Sequence, residues 1–107
     1  QELIIQDKTE TIGGHYKLMV NREGQESKHL TIELVRGNIN IQCDGGDLNI
    51  LTNGNVNMNT FGNFNHTVLG DYNLNIAGNR AVQVGANTTD NTLGSVIHTG
   101  STINLNP

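Results

Sequence analysis

Four histidines, one cysteine and two aspartates beside a Gly-Gly pair are the side chains of greatest chemical reach in this sequence. His66 and His98 occupy the same slot of an eight-residue repeat, so three-fold symmetry would gather three copies of each, enough in principle for a trigonal metal or anion site. The expectation for both is a packed or water-bridged imidazole, and His15 and His29 are read as surface residues. Cys43, the single cysteine, excludes an internal disulfide framework and a cysteine-cluster metal site, and reads as a small apolar filler. Asp44 and Asp47 read as solvated turn formers. Glycoside hydrolysis would require one carboxylic acid in an apolar pocket beside a second carboxylate, and this corner provides none. Gly45-Gly46-Asp47 superficially resembles a calcium-binding repeat, but the aspartate does not recur two residues after a glycine in successive units. The expectation is therefore a protein that is not an enzyme, with no catalytic residues, no resident metal and no cofactor.

Composition narrows the class further. The 107 residues are 35% hydrophobic and 4% aromatic, too little for a monomer's conventional core. Five of the six basic residues, Lys8, Lys17, Arg22, Lys28 and Arg36, precede Gly37, leaving Arg80 alone beyond it, so no basic patch is available to neutralise a run of phosphates. Nucleic acid is not an expected partner. Asparagine shows the opposite bias, with only Asn21 before position 38. The chain starts at Gln1, has no apolar run able to cross a bilayer, and is read as a soluble fragment of a longer protein.

The elements that position these side chains follow from a period. Gly46, Gly54, Gly62, Gly70 and Gly78 recur every eight residues, each followed by Asp or Asn; the register continues through Ala86-Asn87 to Gly94-Ser95, and back to Gly37-Asn38 after one inserted residue at Gly45-Gly46. Counting the glycine as slot zero, slots two, four and six hold Leu48, Ile50 and Thr52; Val56, Met58 and Thr60; Phe64, His66 and Val68; Tyr72, Leu74 and Ile76; and Arg80, Val82 and Val84. Ile39, Ile41 and Cys43 obey the same alternation, as does Val96. A two-residue alternation predicts strands with one dry face and one wet face. The corners predict glycine at positive φ, followed by residues tolerant of the left-handed region.

A single-chain coil would have to bury both of its sides, whereas three chains around one axis let slots two, four and six fill a common interior. Asn and Thr would then line the outside as neutral ladders. The predicted architecture is all-β: an intertwined triple-stranded β-helix, a homotrimeric prism of octapeptide repeats with a short N-terminal β-strand region. Its interior would be Ile39, Ile41, Leu48, Ile50, Val56, Met58, Phe64, Val68, Tyr72, Leu74, Ile76, Val82, Val84 and Val96. Each large aliphatic would contribute roughly 1.5–3 kcal/mol only with its partners present.

The units Ile76-Ala77-Gly78-Asn79 and Val68-Leu69-Gly70-Asp71 resemble the Val-x-Gly-Asn/Asp octapeptide of the central spike proteins of contractile phage tails and of the VgrG-like spikes of type VI secretion. The resemblance covers about residues 37–107. It implies a rigid needle on the tail axis, virion-located in the baseplate, that pierces the target's outer membrane on sheath contraction. The implied partners are two further copies of the chain, baseplate hub proteins upstream, and a PAAR-repeat tip protein at the C-terminus. Some related spikes bind iron at the tip through a His-x-His pair, but here His98 is followed by Thr99 and Gly100. Thr52, Thr60, Arg80, Thr88, Asp90 and Thr92 also depart from the aliphatic pattern.

Two regions are expected on this reading: residues 1–36 as a β-strand linker toward an upstream hub or OB-fold, and residues 37–107 as the needle, with its tip at 94–107. Within the linker, strands are predicted at Leu3–Ile5, Tyr16–Val20 and Leu30–Val35. Gly13-Gly14 with Tyr16, Leu18 and Val20 would form a degenerate first octad. At the tip, Gly100–Asn106 is read as leaving the register, with Ile103 and Leu105 presented to a tip protein. Two alternatives compete: a trimeric phage fibre or adhesin segment whose Asn/Thr exterior binds surface glycans, and a single-chain solenoid of the ice-binding kind.

Overall fold

The computed structural model describes residues 1–24 and 26–106. Gln25 and Pro107, which the linker and tip assignments include, lie outside the described residues. The chain divides into two units, Gln1–Val56 and Asn57–Pro107.

Neither unit contains a helix or a strand among the described residues. The predicted triple-stranded β-helix, together with the three N-terminal strands, is therefore corrected: the backbone is extended within each unit, and no contact joins described residues twelve or more positions apart. The reason lies in the backbone. A strand requires N–H and C=O groups paired with a neighbour, and within neither unit do the described residues provide one. The one backbone–backbone hydrogen bond among the described residues runs from Gly24 N–H to Asn21 O, at 3.1 Å. Slot alternation sets which side chains share a side of the chain. It does not create the partner that would make an extended segment a strand.

The eight-residue period is nonetheless present as geometry. The chain bends at Asp44–Gly46, Asn53–Gly54, Phe61–Gly62, Leu69–Gly70, Ala77–Gly78, Gly85–Ala86 and Leu93–Gly94, with extended backbone between. A bend at Ser101 falls one interval later, so the spacing continues into the segment read as leaving the register. Bends at Ile5–Gln6 and Gly13–Gly14 lie eight positions apart, and the turn at Arg22–Glu23 follows at nearly the same interval. The regularity lapses only before Val35–Gly37.

Glycine serves this geometry differently from the expectation. Positive φ occurs at Asn21 (58°), Gly24 (70°) and Gly37 (111°) among the described residues, and not at Gly46, Gly54, Gly62, Gly70, Gly78 or Gly94. At Gly37 an L side chain would be strained. At the other corner glycines the backbone is one that any residue adopts, and a Cβ would meet nothing within 4 Å.

In Gln1–Val56 the Asn21–Gly24 turn is reinforced by the Asn21 side-chain amide, which donates to Glu26 O. Local ion pairs join Lys8 to Glu2 at 3.0 Å and Lys28 to Glu26 at 3.3 Å. Both are exposed and contribute little to stability. The accessible surface is 12680 Å², whereas a compact folded monomer of this mass would expose roughly 5,800 Å². No described residue is buried.

With the backbone unpaired inside one chain, amide exchange in dilute solution should run near the rate of an unstructured peptide. Strong protection across Gly37–Gly100 in dilute protein, measured by hydrogen-exchange mass spectrometry, would contradict this.

Candidate functional site

The feature with most functional content is the line of slot side chains. Consecutive slot residues stand two positions apart on the same side of extended backbone, so each partly shades the next. Their exposure in the lone chain runs from 42% at Val68 to 80% at Ile50. The apolar residues just before the corner glycines have no such neighbour: Phe61, Leu69 and Leu93 stand at 108%, 101% and 109%. Two classes of apolar residue are thus separated, a half-shaded line and fully projecting corners. All fourteen predicted interior residues lie exposed within their own unit, five or more in each, rather than in a core. At the predicted tip, Ile103 is more shaded than Leu105, and both are exposed.

Aromatic packing shows how the line continues through a corner. Phe64 and His66 meet edge-to-face with ring centroids 6.1 Å apart, and His66 meets Tyr72 in the same manner at 5.1 Å. These contacts carry the row from one octad to the next across Gly70, placing slots on both sides of the bend within aromatic reach. Sequence reading assigned the three residues to slots without foreseeing that His66 would sit between the other two. Their shared slot parity was the available signal.

Polar side chains close short local contacts. Gln42 Nε2 donates to Asp44 Oδ1 at 2.6 Å, Cys43 Sγ lies 3.8 Å from Asp47 O, and the Thr92 hydroxyl donates to Asp90 Oδ1 at 2.9 Å. Gly54 N–H donates to Thr52 Oγ1 at 3.2 Å. Among the described residues, no three His, Cys, Asp or Glu side chains are grouped closely enough to hold a metal ion, so one chain brings neither His66 nor His98 into a ligand set. No helix among them is long and apolar enough to cross a membrane.

A scan against protein-family models, a search of curated proteins and a search of solved structures each returned no match.

What this arrangement offers chemically is surface. The apolar slot residues, bordered by neutral Asn and Thr, present non-polar area rather than a reactive centre. Any self-association through these slots should be abolished by Leu74→Asp, which places a carboxylate among them, and left within about 1 kcal/mol of the parent by Asn75→Asp on the alternate side. Sedimentation equilibrium distinguishes the two outcomes.

Proposed function

We propose that this chain is a segment of a homotrimeric spike in the baseplate of a contractile tail, acting as a rigid membrane-piercing needle and performing no catalysis. The observation that carries the reading is the conjunction of octad spacing with apolar slot residues that one chain leaves exposed. Its own copies are the natural cover. They alone are certain to repeat the same eight-residue spacing, and they bring no charge between Leu48 and Gly70 to repel one another.

The corner glycines favour the same partner. Gly46, Gly54, Gly62, Gly70 and Gly78 recur without a positive φ or an intrachain neighbour to require them. Glycine retained where the chain's own conformation does not need it suits positions that another backbone approaches closely. The Val-x-Gly-Asn/Asp resemblance supplies the setting: a spike driven into the target's outer membrane, with hub proteins upstream and a PAAR-repeat tip protein beyond Ile103 and Leu105. Mechanical function follows because copies that cover each other's lines must separate many contacts at once before the assembly bends or extends.

Light scattering of the native particle should give three times the chain mass, and an unheated SDS sample should migrate as an oligomer that collapses on boiling. Contractile particles carrying Leu74→Asp should contract but fail to breach the outer membrane. A monomer at all accessible concentrations would overturn the reading, and specific glycan-array binding without membrane breach would replace it with the fibre or adhesin alternative.

A further inference from the structure

Asn53-Gly54 is the one place in the sequence where asparagine precedes glycine. The pair occupies a bend, both residues are exposed, and nothing lies within 4 Å of where a Gly54 Cβ would stand. Absence of a side chain on the following residue removes the main obstacle to attack by its backbone nitrogen on the asparagine carboxamide. The bend supplies the second requirement, a backbone not held in a hydrogen-bonded ladder. Every other asparagine is followed by a residue with a side chain.

We propose that Asn53 is a site of spontaneous succinimide formation and deamidation, and that the Thr52 hydroxyl acts as its brake. The Gly54 nitrogen attacks Asn53 Cγ, forming the N–Cγ bond. The Cγ–Nδ2 bond breaks, and the proton lost from the Gly54 amide balances the departure of Nδ2 as ammonia. Water then opens the five-membered imide at either carbonyl, giving aspartate or isoaspartate, with no oxidant or reductant consumed.

The attacking nitrogen must lose its proton, and that proton is the one donated to Thr52 Oγ1 at 3.2 Å. Holding it on a hydroxyl acceptor stabilises the protonated, unreactive amide and fixes the nitrogen's orientation. Slot six is threonine at Thr52, Thr60 and Thr92 and aliphatic at Val68, Ile76 and Val84, and of the three threonines only Thr52 stands directly before an Asn-Gly pair. The consequence is local and large. A carboxylate enters the stretch from Leu48 to Gly70, which otherwise carries no charged residue. The isoaspartate form also lengthens the backbone between Ile50 and Val56, disturbing the spacing on which the octads rely. The inference stands apart from the spike reading, since it concerns one corner of one chain.

Incubating the full chain in mildly alkaline buffer and following tryptic peptides by mass spectrometry, with isoaspartate detected by its specific methyltransferase, provides the test. Amide-to-acid conversion should appear at Asn53 before any other asparagine, be lost in Gly54→Ala, and accelerate in Thr52→Val. Thr60→Val, at the equivalent slot of the next octad, should leave the Asn53 rate unchanged. Earlier conversion elsewhere, or no conversion at Asn53, overturns the site; an unchanged or slower rate in Thr52→Val overturns the brake.

Discussion

Backbone hydrogen bonding is the constraint from which the remaining features of this chain follow. Each extended residue presents an N–H and a C=O that must be paired with protein or with water. Among the described residues none twelve or more positions apart are in contact, so within each unit nearly all of these groups face solvent and no layer exists against which side chains could pack. An exposed apolar line is the direct result. So is the confinement of side-chain chemistry to residues a few positions apart, such as Gln42 with Asp44 or Thr92 with Asp90. Ordering such a chain costs roughly 1–2 kcal/mol per residue in backbone entropy, which half-shaded aliphatic side chains within one copy cannot offset.

Within that constraint the bends are the organising device. Bends eight residues apart let extended segments of equal length succeed one another. The Phe64–His66–Tyr72 contacts show the effect at one corner, where residues of neighbouring octads meet although the segments share no hydrogen bonds. The corner also sorts apolar residues by environment. Phe61, Leu69 and Leu93 project fully, whereas Val68 and Ile76, one slot away from their corners, are the more shaded members of the line.

The period itself was legible because glycine followed by Asn or Asp punctuates most of it, and six consecutive bends from Asn53 to Leu93 fall where that punctuation places them. Slot parity was legible for the same reason. The strands were not, since alternation reports which side of the backbone a residue occupies but says nothing about whether a hydrogen-bonding neighbour exists. The role of glycine was misread in part: positive φ was expected at the corners, yet it appears at Gly37 and is absent from Gly54 to Gly94. The N-terminal bends at Ile5 and Ser101's continuation of the interval carried weak signals, because neither has the Gly-Asn pair that marks the central octads. His66 was placed by slot alone, and its two aromatic neighbours emerge only once the corner geometry is known.

Charge placement is compatible with the proposed apposition of identical copies. Equivalent charges in aligned copies meet their own sign, at a cost of about 1 kcal/mol at 4 Å in water and about 4 kcal/mol near a protein surface. Neutral Asn and Thr avoid this cost while still hydrogen bonding. The charged N-terminal stretch, with its Lys8–Glu2 and Lys28–Glu26 pairs, is the part least suited to close apposition. Beyond Gly37, Asp44, Asp47 and Asp71 stand at corners, where water can reach them. Arg80 and Asp90 fall instead in slots two and four, on the apolar line itself. In the proposed trimer, apposition of copies would be strongest over Leu48–Ile76, where the slot residues are uncharged, and weakest beyond Arg80. There each copy would have to hydrate or neutralise a like charge before the line could close.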